Sequence, residues 1–461
     1  MIFRLLLCTL VITVTSQSAR AAVAAVAMPD RWSAEAAHGV LVEGGNAVDA
    51  AIAAAFVLAV TYPEAGNIGG GGFMTSFMEG EPTFLDFRER APAAASRDMF
   101  LDEGGEFQPG KSLVGGLASG VPGTVRGMLT AHQRYGSLPW SRLLAPSIAL
   151  AKEGFIVPEA LAALVADSAG KFKGKTNFEQ YFGHVSAGTR FPQPALAATL
   201  SILADDPEAF YVGSVARQVV QQMRSSGGLI TLEDMAAYRA VWREPLRQKW
   251  RDLELVSAPP PSSGGIALAQ LLGMREHLAA EFDGLWHNSA QYVHLLAEMK
   301  KRVFADRAVY LGDPDFGEVP VAQLLAEEYL RRRAAEVETD AISPPGAAGP
   351  GLESPDTTHF SILDGKGNAV SLTYTLNWEF GSGVVVSGAG FLLNNEMDDF
   401  SAKPGVPNAF GVIGNERNAI EPGKRMLSSM TPTILLRDGE PALVVGTPGG
   451  STIFTSVFQV I

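Results

Sequence analysis

Residues 343–355, SPPGAAGPGLESP, divide this chain more sharply than any other feature. A segment so rich in proline and glycine can be neither a helix interior nor a central strand, and it reads as an exposed linker. The patterning changes across it. Upstream the chain is largely helical. Downstream, residues 369–376 alternate strictly, with Val370, Leu372, Tyr374 and Leu376 on one face and Ser371, Thr373 and Thr375 on the other. Residues 359–363 form a preceding strand and 364–368 (DGKGN) a turn. With the turn centred on Lys366, Asp364 faces Asn368 and Thr357 faces Thr375. Two threonine hydroxyls then sit side by side at the open end of a hairpin, directly after the linker.

Upstream, residues 46–60 form an apolar helix with Asp49 in its first turn, running into a loop with four glycines at 69–72. Strands are predicted at 73–78, 83–87 and 253–257. Residues 123–154 read as helical, broken at Pro139 and Pro146, and 158–238 as largely helical. A proline-rich turn at 259–265 leads into a helix from Ile266, and 290–310 and 321–338 are long helices. Downstream strands are predicted at 390–393, 433–436 and 442–446. Gly449-Gly450-Ser451 then opens an apolar helix that reaches Ile461 without a cap, and this C-terminal part reads as truncated. No internal repeat is visible.

Of the 461 residues 47% are hydrophobic, enough to bury a large core, which excludes a disordered chain. A formal net charge of −13 argues against wrapping nucleic acid or an anionic membrane. Cys8 stands alone, excluding a disulfide scaffold. It lies in an apolar run at 5–14, after Arg4 and before an A-x-A site ending near Ala21. Residues 1–21 are therefore expected to be a signal peptide, too short to span a membrane, directing the chain to the periplasm or outside. No other run reaches spanning length. The histidines show no H-x-x-x-H spacing, and neither metal nor cofactor is expected. The four glycines lack the Lys-Ser/Thr of a phosphate loop.

A cross-strand threonine pair is a common structural feature. A chemical reading is also open. A threonine hydroxyl is a poor nucleophile until a base takes its proton, and an N-terminal threonine carries that base as its own α-amine. Such a residue arises mid-chain only when the preceding bond breaks, and Asp356-Thr357, at the end of an exposed linker, is the candidate.

Asp356-Thr357-Thr358-His359-Phe360-Ser361 and Tyr374-Thr375-Leu376-Asn377 resemble the small-subunit start of the gamma-glutamyltranspeptidases. The same holds for LNNEMDDF at 393–400, LSSMTPT at 427–433 and GTPGGS at 446–451. Earlier matches are GGNAVDA at 44–50, GGGGF at 69–73, DFRE at 86–89 and PPSSGG at 260–265. The resemblance runs from about residue 28 to 461. It implies an N-terminal-nucleophile hydrolase of α+β class, a four-layer αββα sandwich built jointly by two subunits from one precursor. These would be a large subunit, 22–356, and a small one, 357–461, paired as a heterodimer after self-cleavage.

The resemblance implies roles. Thr357 would be the nucleophile and Thr375 would hold its hydroxyl. Gly449 and Gly450 would form the oxyanion hole, as suits amides between a strand and a helix. Arg88, Ser428 and Ser429 would bind the α-carboxylate of a γ-glutamyl group. Asn377, Glu396 and Asp399 would bind its α-amine. Phe410 lies in a segment resembling the loop over the site, where some members have Tyr. The implied reaction attacks the γ-amide of glutathione and passes the acyl group to water, an amino acid or a peptide. Two alternatives stand beside it: a glutaryl or β-lactam acylase of the same family, and an unprocessed, non-catalytic binding protein. His359, two residues beyond the nucleophile, is a rival to the α-amine for the acidic limb of a pH profile.

Overall fold

The computed structural model describes residues 24–343, 357–408 and 411–461. The expected signal peptide, Asp356 and Phe410 lie outside them, as does the linker beyond Ser343. In chain order the strands are β1 (Ala25–Ala27), β2 (Gly71–Met78), β3 (Glu81–Asp86), β4 (Phe155–Ile156) and β5 (Arg190–Phe191). Then follow β6 (Val241–Arg243), β7 (Leu246–Trp250), β8 (Leu253–Ser257), β9 (Thr357–Leu363), β10 (Ala369–Thr375), β11 (Thr433–Arg437) and β12 (Glu440–Val445). They build two antiparallel sheets, ordered β1-β9-β10-β2-β3-β6 and β12-β11-β8-β7, with β4 and β5 as a separate ribbon. The chain is thus a mixed α/β molecule.

The hairpin β9–β10 forms in the register its turn demands, with Ala369 opposite Leu363 and Thr375 opposite Thr357. Its alternation explains how β10 is buried on both sides. Val370, Leu372 and Tyr374 enter a core shared with the helix Ala47–Thr61. That helix is apolar on every face and buried along its whole length, as a helix inside a core must be. It starts in a capping box between Asn46 and Asp49, and the Tyr374 hydroxyl donates to its Ala55 carbonyl at 3.0 Å. The polar set faces the second sheet: Ser371 Oγ donates to the Val445 carbonyl at 3.0 Å and accepts from the Thr433 amide at 2.9 Å. Strands β11 and β12 pack on β2, β9 and β10, while the helix Gly264–His277 packs on β7 and β8.

Several expectations need correction. Residues 390–393 form no strand, only an isolated bridge between Val385 and Leu392. Pro146 does not break its helix but sits inside Trp140–Glu153, and Pro139 is the residue that caps it. The helix expected over 321–338 is two, Val321–Leu324 and Glu327–Ala335. Gln270 Nε2 donates to the Leu324 carbonyl, an acceptor a continuous helix would use itself. Strands β1, β4, β6 and β7 match no predicted strand, and β5 interrupts the stretch 158–238 expected to be largely helical. No helix among the described residues is long and apolar enough to cross a membrane.

Candidate active site

The open end of the hairpin forms the floor of a cleft lined by Thr357, Thr375, Asn377, Arg88, Glu396, Asp399, Ser428, Ser429 and Gly450. Arg307, Val412, Met430, Ser451 and Ile453 complete its wall. Residues from seven separated stretches of sequence converge there.

The end of β10 is held against the glycine loop. Asn67 Nδ2 donates to the Thr375 carbonyl at 2.9 Å, while Asn67 Oδ1 accepts from the Gly70 amide at 2.9 Å. A Cβ at Gly70 would lie 2.0 Å from that same carbonyl, so only glycine allows the approach. Thr375 Oγ1 accepts from the Asn377 amide at 2.8 Å, in a turn where Asn377 has φ +81. Asn377 Nδ2 donates to the Asn395 carbonyl at 3.0 Å, and Asn394 Nδ2 to the Gly69 and Gly120 carbonyls. Asn394 and Asn395 therefore position the 3-10 turn Glu396–Asp399 against the hairpin.

Arg88 follows β3. Its amide donates to Asp86 Oδ1 at 2.9 Å, and the Tyr238 hydroxyl donates to its carbonyl at 2.8 Å. Its side chain is fully buried, with Nη1 on Glu396, Nη2 on Asp399 and Nε on the Met426 carbonyl. Glu89 lies 3.7 Å from Nη1. Crowding this many acids into a dry site has a consequence. Burial raises Glu396 well above its ordinary range and Asp399 above its own, although Arg88 pulls both down. Burial likewise pushes Glu89 to about 7 against the pull of Arg88.

Ser428 and Ser429 rest on the turn that precedes the helix Gly264–His277. The Ser428 amide donates to the Pro261 carbonyl at 2.9 Å, and Ser263 donates to the Ser428 carbonyl through both its amide and its hydroxyl. Opposite, Gly450 begins a 3-10 turn that leads into the helix Ile453–Val460. Gly449 has φ +132 and precedes it without lining the cleft.

Every described candidate therefore lies in or beside one cleft. Arg307 and the supporting Asn67 and Asn394 had been assigned no role. Arg307 stands in the long helix Ala290–Tyr310, where helical periodicity does not distinguish a cleft-facing arginine from a solvated one. His359 pairs with Thr373, two residues along the strand from the Thr357–Thr375 pair. Its Nδ1 meets Thr373 Oγ1 at 2.8 Å and its Nε2 meets Ser361 Oγ at 3.0 Å, and burial drives it down to about 3.

Residues 33–461 match the gamma-glutamyltranspeptidase family model. The glutathione hydrolase proenzyme of Pseudomonas aeruginosa is 61% identical over 100% of this chain and 83% of its own length. That of Escherichia coli is 45% identical over 95% of this chain and 77% of its own. Among solved structures, the gamma-glutamyltranspeptidase of Pseudomonas nitroreducens complexed with L-DON has a TM-score of 0.69 at 56% identity, covering 69% of this chain and 96% of that one. A cephalosporin acylase from Bacillus halodurans reaches 0.82 at 27% identity, covering 98% and 83%. A cleft at the head of a Thr-Thr-His strand, and a match spanning nearly all of the sequence, lead to one conclusion: the chain belongs to the gamma-glutamyltranspeptidase family.

Proposed function

We propose that the protein hydrolyses glutathione and related γ-glutamyl amides and transfers the γ-glutamyl group to water, amino acids or peptides. The observation that carries this is the Arg88 cluster beside Thr357. A γ-glutamyl group ends in a zwitterion, an α-carboxylate next to an α-ammonium. A guanidinium clasped between Glu396 and Asp399 is its electrostatic complement. On binding, the ammonium takes up the acids and the carboxylate takes up the guanidinium, with Ser428, Ser429 and Asn377 supplying neutral hydrogen bonds. Two ion pairs are exchanged for two others, so no charge is left buried and unpaired. A glutaryl group, lacking the ammonium, would leave the acids without a partner. This argues against the acylase reading, although the acylase ACY 1 proenzyme of Pseudomonas sp. SE83 is 37% identical over 92% of this chain.

The chemistry begins with maturation. Thr357 attacks the Asp356 carbonyl, and resolution of the ester by water leaves Thr357 as a new N-terminus. In turnover its α-amine takes the hydroxyl proton as Oγ1 attacks the γ-carbonyl. Thr375 holds the hydroxyl, and the Gly449 and Gly450 amides receive the oxyanion. Collapse breaks the C–N bond, and the leaving amine takes the proton from the α-ammonium. Water or an acceptor amine then attacks the γ-glutamyl ester and releases Thr357. The segment around Phe410 would cover the site. The mature form would be an exported heterodimer of 22–356 and 357–461 in a four-layer sandwich. The packing of helix on sheet, sheet on sheet and sheet on helix supports that arrangement.

The test is processing. The wild-type chain should run as two fragments on a denaturing gel and hydrolyse L-γ-glutamyl-4-nitroanilide. Thr357→Ala should remain one chain and be inactive. Two fragments from that variant would overturn the reading.

A further inference from the structure

The cleft holds a second arginine that the proposed function has not used. Arg307 reaches it from the last turn of the helix Ala290–Tyr310 and is only 6% exposed. Its one side-chain hydrogen bond among the described residues runs from Nε to Ser263 Oγ at 3.1 Å, a neutral partner. No carboxylate among them forms an ion pair with it. Burial lowers it to about 10, with Asp399 too distant to pair but close enough to offset part of that cost. Buried arginines are ordinarily matched to an acid, because an unmatched charge in a dry site is expensive. Arg88 shows the ordinary case a short way off, with its charge shared among Glu396, Asp399 and Glu89. The cleft thus contains one neutralised guanidinium and one that is not.

The position of the unmatched one narrows its use. Ser263 Oγ, which accepts from Arg307, itself donates to the Ser428 carbonyl at 2.7 Å. Arg307 is therefore tied to the segment that carries Ser428 and Ser429, on the side of the cleft where the carboxylate end of an acyl group is proposed to lie. We propose that Arg307 is a second specificity-determining cation that, beside Arg88, receives the α-carboxylate of the acyl donor together with Ser428 and Ser429. This rests on the γ-glutamyl reading and deepens it: selection for a terminal carboxylate is assigned to two arginines, with the unpaired one supplying the net charge.

Three 4-nitroanilides separate the contributions. The γ-glutamyl compound has both end groups, the glutaryl compound lacks the amine, and the 4-aminobutyryl compound lacks the carboxylate. Arg307→Met in the processed enzyme should lower kcat/KM on the first two by roughly ten- to a hundred-fold, mainly through KM, and leave the third within about two-fold. For a slowly turned-over anilide, competitive inhibition by L-glutamate, glutarate and 4-aminobutyrate gives the same comparison. Arg307→Lys keeps the charge but loses the planar fork. It should raise KM several-fold for carboxylate-bearing donors alone, and it decides the matter if the Met variant is not processed. Equal losses on all three compounds, or none on any, would overturn the proposal. A wild-type enzyme inactive on the γ-glutamyl anilide would instead overturn the functional reading beneath it.

Discussion

At the scale of single residues, the two titrating candidates near Thr357 can now be told apart. An α-amine acting as base must be neutral, so kcat/KM rises with pH through its pKa, for which the reference is about 7.7–8.0. His359 could give a similar limb only if it ionised near neutrality. It is enclosed instead between Thr373, Ser361 and the backbone at Gly446, where a Cβ would lie 2.3 Å from its ring. Burial there holds it at about 3, so it stays neutral throughout the working range. His359→Gln in a processed enzyme should therefore keep the acidic limb of the profile unchanged, and loss of the limb would return the role to the histidine. A second prediction concerns Asp399. Removing its charge costs a charge-assisted bond to the donor's ammonium, roughly 1.5–3 kcal/mol. Asp399→Asn should thus lower kcat/KM on a γ-glutamyl anilide by roughly ten- to a hundred-fold and affect a glutaryl anilide much less. Equal losses would favour an acylase.

At the scale of elements, the β9–β10 hairpin was legible because a period of two and a short turn leave one workable register, and Thr357 meets Thr375 as that register requires. Residues 46–60 were legible for a similar reason, since fifteen mostly apolar residues behind an Asn–Asp capping box have little alternative to a buried helix. Strand β7 was not legible. Its Arg247, Gln248 and Lys249 carry no hydrophobic run, and it is held by pairing with β8. Nor was the break at Leu325, where the Leu324 carbonyl accepts from Gln270 in another helix. The cleft divides along the same line. Residues within recognisable motifs were found, while Arg307 acquires meaning only from what surrounds it. The glycine loop at 69–72 shows a motif whose reason is packing. Gly70→Ala would drive a methyl into the Thr375 carbonyl, backbone that cannot move without dragging the nucleophile's partner strand. The variant should accumulate as unprocessed precursor with a lowered thermal midpoint. Gly110→Ala, with open space at its Cβ, should process normally. Normal processing of the Gly70 variant would show that the contact is soft.

At the scale of the whole molecule, stability against pH is shaped by buried groups whose ionisation the fold opposes from both directions. His359 has its pKa lowered by burial to about 3, below an unfolded value near 6.5. As pH falls from 6.5 towards 3 the unfolded chain gains a proton that the folded one refuses, so stability declines in acid. Glu64 acts oppositely. Its carboxyl is buried and Oε2 has no hydrogen-bond partner among the described residues. Burial, reinforced by Asp30 and Glu379, raises it to about 8 from an ordinary value near 4.5. As pH rises from 4.5 towards 8 the unfolded chain loses a proton that the folded one keeps, so stability declines again. For either group the slope approaches ~1.4 kcal/mol per pH unit inside its window. Glu89, raised to about 7, works in the same sense as Glu64 over a narrower range. The slopes of His359 and Glu64 offset each other between 4.5 and 6.5, and Glu89 shifts the optimum towards the acidic end of that window. Glu64→Gln removes the alkaline slope it contributes and should move the optimum upward, its thermal midpoint gaining on wild type steadily between pH 5 and 8. His359→Gln removes the acidic slope and should move the optimum downward. Thermal midpoints measured from pH 4 to 9 on both variants in the unprocessed Thr357→Ala background test this without interference from cleavage. Parallel curves for Glu64→Gln and its parent would mean that the buried carboxyl ionises in the folded protein as freely as in the unfolded one.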